Sequence, residues 1–509
     1  MSLLRRHIWL IVAIAPIAML YFCWTWSGEI GSLFNDGTSY LVMAQHYASG
    51  HTADPVTMAA AFSRFPPLYP LLLAWSGAAF DLHLAHALTT ASLLLGLVAL
   101  YAWMGSTGFS AAQAALFMLV FAALPGSWLA GLLIQSEYLY LLWSLLALAL
   151  LSAYHGEPGE EWLLVAAIAV AAATLTRTIG ITLLPPLLLA ALRARRRTAL
   201  LSMMAALLPV LLWHTLHKTQ GDGYGDYLAY SYGHHPWAFL QRQLHDVLFF
   251  LRQGFAQNLR QTIQAGLLTD SIGCLCLAAA AWRAARLKPD GIYIAAYAAI
   301  LLLWPYPGEI PRLLWVVLPV LLVQPILAVA EWRRESPDAA LARLLAAAWA
   351  AALMCMALPA ISDAADRYSA AADSGLPDAR DYESWYTTAP AESTLHVGTE
   401  LFLIEALRHV SDAVPQEDCV IAVRPDWINY YARRRSNQPP RDTVPDPQFV
   451  GRLRATGCRY LFAALFVDVN FPIPMHPLQR SGSQFEVLQY MPTPDGVSSQ
   501  PLSVLGRLR

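Results

Sequence analysis

Residues 33–50 read LFNDGTSYLVMAQHYASG, and residues 63–75 read SRFPPLYPLLLAW. The first stretch places one carboxylate, Asp36, in a short polar window between two strongly apolar segments. From Gly37 to Ser49 the pattern is that of a single helix, with Gly50 at the position past its end where a left-handed cap is needed. Two roles are open to Asp36: it caps this helix through its side-chain oxygen, or it faces a cavity as a general base. Tyr40, Met43 and Tyr47 follow at helical spacing. The face below the acid is therefore apolar and aromatic, suited to resting on lipid or on the chain of a lipid substrate.

Of the 509 residues, 57% are hydrophobic and 13% charged, whereas a soluble domain carries about 25% charge. The fold class is thus a polytopic α-helical membrane protein. A net charge of −2 leaves no basic surface for nucleic acid. A bilayer-spanning helix takes roughly 20 apolar residues. Candidate runs lie near 8–26, 82–104, 109–125, 129–152, 161–177, 179–192, 198–217, 269–286, 290–305, 312–331 and 340–360, about eleven spans. The first run follows Arg5 and Arg6, but YFCWTWSG offers no small-residue cleavage site, so it is read as a retained helix.

Orientation follows from the basic loops. With the N-terminus inside, RARRR (193–197), WRAARLK (282–288) and EWRRE (331–335) all fall on the inner side. The outer loop 218–268 dissents with Lys218, Arg242, Arg252 and Arg260, but long loops obey the rule less strictly. An odd number of spans places residues 361–509 outside. The same parity brings Asp36, Arg64, Glu137, Arg177, Glu309 and Arg312 to or near the outer face. Charges in or beside membrane helices are costly and usually functional.

Each of these residues also has a plain structural reading. Glu137, in LLIQSEYLYLLW, either pairs with an outer-face arginine or lines a cavity that binds substrate. Arg177 in TLTRTIGITLLPP, Arg312 after PYPGEIP and Arg64 in SRFPPLY suit bidentate phosphate recognition. Each is equally a snorkelling anchor when taken alone. His214, His217, His234, His235 and His245 surround the outer loop, but their spacing matches no compact metal motif. A Gly/Tyr-rich segment closing over substrate fits GDGYGDYLAYSYGHHPW better.

The chain divides into a membrane domain over 1–360, a polar linker over 361–395 and an α/β domain over 396–509. In the last, CVIAV, CRYLFAALF, FEVLQYM and LSVLGRL read as strands alternating with helices. If the first two pair in parallel, Cys419 and Cys458 begin neighbouring strands and can bond. Cys23, Cys274, Cys276 and Cys355 lie in apolar runs as small hydrophobes. Trp385, Tyr386 and Trp427 are core residues or contacts for a glycan.

With the acid of NDGTSYLVMAQHYASG in the first outer loop and FPPLYPLLL after it, the chain resembles the GT-C superfamily of integral membrane glycosyltransferases. Its nearer likeness is to protein O-mannosyltransferases and to the aminoarabinose transferases that modify lipid A. QSE in the fourth span, TRTIG after the fifth and the Pro-rich loop leading into RLLWVVLP belong to the same likeness, which covers residues 1–360. The resemblance implies that Asp36 is the catalytic base and that Glu137 binds substrate. It implies that Arg177 and Arg312 hold a donor phosphate, with Arg64, Tyr40 and Tyr69 as further substrate contacts. The implied donor is a polyprenyl-phosphate sugar, and the implied acceptor a hydroxyl on a glycolipid, polysaccharide or protein. The implied setting is the bacterial inner membrane, with the N-terminus cytoplasmic and the C-terminal domain periplasmic. Asp36 is flanked by Asn35 and Gly37 and has no acidic neighbour in sequence, so no metal and no cofactor are expected.

Two other readings compete. A transporter or lipid flippase calls for internal repeats and broken helices at mid-membrane, and the sequence shows no repeat. An oligosaccharide ligase would use a prenyl-pyrophosphate donor, which the sequence does not separate from a monophosphate.

Overall fold

The computed structural model describes residues 2–50, 65–154, 159–216, 236–262, 264–304, 306–333, 339–439, 446–464, 484–491 and 502–509. Helix α1 (Ser2–Thr25) leads through a loop into α2 (Gly37–Ser49) and α3 (Leu68–Trp75). The bundle continues with α4 (Leu82–Ser106), α5 (Ala111–Ala123), α6 (Pro125–Ala130), α7 (Glu137–Ala153) and α8 (Glu160–Thr176). A 3-10 helix, Thr178–Leu183, precedes α9 (Leu184–Ala191) and α10 (Arg196–Leu216). Then follow α11 (Pro236–Arg260), α12 (Leu267–Ala285), α13 (Pro289–Leu303), α14 (Ile310–Arg333) and α15 (Ala339–Ala370).

The apolar runs of the sequence fold largely into helices, and the protein is a membrane protein. Among the described residues six helices have the length and composition to cross a bilayer, namely most of α1, α4, α10, α12, α14 and α15. Helices α5, α7, α8 and α13 and the segment Thr178–Ala191 are shorter. Their exposed leucines, isoleucines and valines face outward, as lipid contact requires. The run at 129–152 is not one helix: it turns over residues 131–136 and restarts at Glu137. The acid thus opens a helix, where the N-terminal dipole favours negative charge.

Residues 236–260, expected within a loop, form a 25-residue helix, α11. Val247, Phe255 and Leu259 bury one side of it, while Leu240, Leu244 and Leu248 line an exposed apolar stripe. Arg252 joins Asp270 of α12 at 2.7 Å. His217, His234 and His235 lie outside the described residues.

Charged groups gather at both ends of the bundle. Arg283, Asp290, Lys288 and Glu331 form one network, with Arg283 to Asp290 at 2.8 Å, Arg283 to Glu331 at 3.1 Å and Lys288 to Glu331 at 3.0 Å. Glu331 nearly closes α14 and Arg312 opens it, so this network sits roughly 28 Å from Arg312 along the helix.

Residues 361–395 have a linker's composition but are folded and packed. Helix α15 runs through to Ala370. Short turns then lead into α16 (Glu383–Thr387) and α17 (Pro390–Ala413). Tyr382, Trp385 and Tyr386 are buried. Trp385 donates to the Arg367 carbonyl at 2.9 Å, and Tyr386 packs on Trp24 with ring centroids 5.1 Å apart. These aromatics, with the buried Trp427, are core.

The C-terminal sheet has strands β1 (Cys419–Ala422), β2 (Arg435–Asn437), β3 (Tyr460–Ala464), β4 (Phe485–Met491) and β5 (Ser503–Leu508), in the order β2-β1-β3-β5-β4. Helix α18 (Asp446–Ala455) precedes β3. Strand β1 runs parallel to both β2 and β3, and β5 is antiparallel to β3 and β4. Cys419 and Cys458 stand at the start of the parallel pair β1 and β3 and form a disulfide. Strand β2, Arg-Ser-Asn, has no apolar alternation, so the sequence gives no sign of it.

Candidate active site

Asp36 does not cap α2. The Asn35 side chain takes that work, its Oδ1 accepting from the Gly37 backbone N–H at 2.6 Å. Gly50 closes the helix in the left-handed conformation, as the sequence requires. Freed from capping, the Asp36 carboxylate accepts from Arg312 Nη1 at 2.9 Å, with its side chain 23% exposed.

Arg312 stands in the first turn of α14 and is shared. Its Nη2 lies 2.8 Å from Glu309 and its Nε 3.3 Å from Glu137. Glu137 is fully buried and pairs with Arg177 at 2.7 Å. Arg177 lies in the extended residue between α8 and the 3-10 helix, and its Nη1 also donates to Ser136 Oγ at 3.2 Å. Ser136 Oγ is in turn 2.8 Å from the Tyr40 hydroxyl. Asp36, Tyr40, Glu137, Arg177 and Arg312, from distant parts of the chain, thus meet in one network at one end of the bundle. Glu137 both pairs with Arg177 and borders a cavity.

Two cavities flank this network. One, of about 130 Å³, is lined by Asp36, Tyr40, Phe65, Arg177, Trp304, Tyr306, Glu309, Arg312 and residues of the C-terminal domain. The other, of about 490 Å³, is lined by Gln135, Glu137, residues of α11, Trp315 and Glu383. Phe34, Glu309 and Arg312 border both.

Tyr69, expected among the substrate contacts, borders neither cavity. It is buried one layer back, its hydroxyl 2.7 Å from Thr89 Oγ1 and its ring edge-on to Tyr40. Arg64 lies outside the described residues. The apolar side of α2 meets protein: Val42 and Met43 pack with Phe65 and Tyr430.

Sequence reasoning missed the second half of the site. The turn after β1 carries Arg424, Pro425 and Asp426 into the smaller cavity. Arg424 grips Asp426 through Nε at 3.1 Å and Nη2 at 2.9 Å, and the same Nη2 donates to the Asn35 carbonyl at 2.8 Å. Asp426 accepts from the hydroxyls of Thr38 and Ser39 on α2. Burial favours a neutral Asp426, yet Arg424 and these hydroxyls hold its carboxyl below the usual range. For Asp36 as well, burial raises the pKa, while Arg312, Arg424 and Arg177 outweigh it and keep the group ionised. Only the Arg-Pro-Asp spacing at 424–426, which suits a local fork, signals this in the sequence.

The loop that carries Asp36 is clasped from its other side. Ser27 donates to Asp381 at 2.8 Å, Tyr382 to Glu29 at 2.9 Å, and the Glu383 N–H to the Gly31 carbonyl at 2.8 Å. Buried Glu400 accepts from the Leu33 N–H and from Ser384, each at 2.7 Å. Burial pushes Glu400 up to about 7.

This architecture is the fold of ArnT. Solved structures share it over nearly the whole chain. ArnT from Cupriavidus metallidurans bound to undecaprenyl phosphate is 16% identical with a TM-score of 0.51, covering 98% of this chain and 97% of that one. The apo state of that protein is 14% identical with a TM-score of 0.52 and the same coverage. No protein-family model and no curated protein sequence matches the chain.

Proposed function

We propose that this protein is a glycosyltransferase that moves a sugar from a polyprenyl-phosphate donor to an acceptor hydroxyl at the periplasmic face of the bacterial inner membrane. On this reading the N-terminus is cytoplasmic and the sheet domain periplasmic. The observation that carries the proposal is the convergence of Asp36 with Arg177, Arg312 and Arg424 around one cavity at a bundle end. The likeness to a protein solved with undecaprenyl phosphate supports a lipid phosphate as donor.

The donor's prenyl chain lies in the bilayer and its phosphate among the guanidinium groups. The acceptor oxygen attacks the anomeric carbon, the bond from that carbon to the phosphate oxygen breaks, and the hydroxyl proton passes to Asp36. The electron pair leaves with polyprenyl phosphate, whose charge the arginines stabilise. A single displacement inverts the anomeric centre. The arginines counter the negative charge on the leaving phosphate, and on this reading the reaction needs no metal or cofactor.

The test is purified protein with labelled prenyl-phosphate sugars and membrane extract, read by mass spectrometry of the product and of the released lipid. Asp36→Asn is expected to lower transfer by about 10²- to 10⁴-fold, the usual contribution of a general base, while undecaprenyl phosphate still binds. Near-normal turnover in that variant refutes the assignment, and release of a pyrophosphate favours the ligase reading.

A further inference from the structure

The two cavities differ in chemistry. In the smaller one, Arg177 and Arg424 stand with Arg312. In the larger one Arg312 is the only cation among the described lining residues, and it is already shared by Asp36, Glu137 and Glu309. Glu137, Glu309 and Glu383 all border that larger space. A phosphate monoester carries about −1.5 to −2 charges and would meet three carboxyl groups there with no free guanidinium. Like charges at close range in a poorly hydrated site repel strongly.

The remaining polar wall is built of amides. Gln253 and Gln257, one turn apart on α11, and Gln261, just past its end with φ 55°, line the cavity. Gln135, 2% exposed, also lines the cavity, and its Oε1 is buried without a hydrogen-bond partner among the described residues. A buried amide oxygen left open is costly unless something fills it. Each amide offers both a donor and an acceptor, as a sugar hydroxyl does. Glu383 is pushed up to about 7 by burial and by Glu400, so near neutrality it also can give or take a hydrogen bond. Trp315 and Phe250 provide the apolar surface that the C–H faces of a sugar ring require. The volume of about 490 Å³ falls within the usual range of small-molecule sites.

We propose that the larger cavity binds an uncharged, hydroxyl-rich group, a sugar ring without phosphate, and discriminates against phosphorylated headgroups. This rests on the proposed transferase reading and names the acceptor class for it: a neutral glycan or glycolipid sugar, entering opposite the donor phosphate.

The test uses the full chain in nanodiscs and a matched pair of alkyl glycosides bearing a photoactivatable diazirine, one neutral and one carrying a phosphate monoester. Crosslinked peptides are mapped by mass spectrometry. The neutral probe is expected to label residues 250–262 at least tenfold more than the phosphorylated one. Gln257→Ala should weaken that labelling several-fold, and Gln257→Lys should raise labelling by the phosphorylated probe. Equal or stronger labelling by the phosphorylated glycoside overturns the inference, as does failure of the neutral one to label this helix. Retention of undecaprenyl phosphate, measured on the same preparations by native mass spectrometry, separates the two ideas. Its loss in the unsubstituted protein counts against the transferase reading, whereas its persistence alongside a failed probe experiment counts against the acceptor class alone.

Discussion

Replacing Arg424 with alanine tests whether the C-terminal domain takes part in the reaction. Arg424 makes two hydrogen bonds to Asp426 and one to the Asn35 carbonyl, next to Asp36. Its removal strips Asp426 of its only described ion pair, leaving the carboxylate with two hydroxyl donors. Loss of a charged hydrogen-bonding partner from such a site costs about 1.5–3 kcal/mol, and that cost falls on the docking of the turn against α2. A second loss falls on chemistry. One of the three guanidinium groups around the proposed phosphate position disappears, and a single preorganised donor to developing charge is worth about 10²–10³ in turnover. Arg424→Ala is therefore expected to lower kcat by about 10²-fold. Arg424→Lys, which keeps the charge but not the fork, should fall between the two. The double variant Arg424→Ala, Asp426→Asn separates the causes, because it removes the orphaned carboxylate as well. If the double variant stays as slow as the single one, Arg424 acts on the leaving group; if it recovers, Arg424 acts by docking. The assay is steady-state transfer from a labelled prenyl-phosphate sugar, with thermal inactivation run in parallel. Full activity in Arg424→Ala refutes both halves of the reasoning.

Gly31 sits at φ 80°, and a Cβ there would lie 1.7 Å from the Leu132 carbonyl oxygen. Gly31→Ala should lower both stability and transfer, by at least about 1–3 kcal/mol from backbone strain alone. Gly375→Ala, with φ 74° but open space, should cost far less in inactivation temperature. For Glu400 the folded value of about 7 exceeds the ordinary 4.5, so between these pH values the folded chain holds the extra proton. Its contribution is then a penalty, absent below about pH 4.5 and fully present above about pH 7. Glu400→Gln should remove on the order of 2–3 kcal/mol of that penalty at pH 8, and denaturation midpoints that track the parent protein in parallel from pH 4.5 to 8 would contradict this. The Cys419–Cys458 disulfide spans 39 residues, and chain entropy for such a loop is worth about 4 kcal/mol. Replacing both cysteines with serine should loosen the sheet to that degree in hydrogen exchange, and transfer should fall with it, because β1 delivers Arg424.

The membrane part of the fold is legible because a bilayer leaves little choice: a long apolar run must be helical to satisfy its own backbone. The capping glycine at position 50 is legible for an equally local reason. Asp36, Glu137, Arg177 and Arg312 stand out because charges are rare beside apolar spans. What escapes notice depends on distant partners. Asp36 looks like a helix cap until Asn35 is seen to occupy that role, and no local pattern decides which of two adjacent residues does so. Tyr69 is expected at the cavity only from the family resemblance, and the edge-on contact with Tyr40 places it behind the wall. Residues 361–395 look like a linker because their polar side chains bond to the loop around Gly31, and polarity alone cannot distinguish a bond to protein from one to water. Arg424 and Asp426 sit in a soluble-looking domain where charge is ordinary, so only their place in space makes them conspicuous.

So dense a charge cluster persists at one end of the bundle because its charges are paired. Three carboxylates of the cluster are each paired with a guanidinium: Glu137 with Arg177, Asp36 with Arg312, and Asp426 with Arg424. Breaking one pair strands the other partner, which is far more costly than the pair itself is stabilising, so the cluster resists piecemeal rearrangement. A phosphate entering the smaller cavity adds a further anion for Arg177, Arg312 and Arg424 to share. Its arrival offsets the field of the three arginines on Asp36 and moves that carboxylate back towards its ordinary proton affinity. The group proposed as base therefore gains basicity when the donor is in place. An acceptor hydroxyl that arrives alone meets an acid held in its ion pair, and the loop bearing that acid is braced by the C-terminal domain in either state.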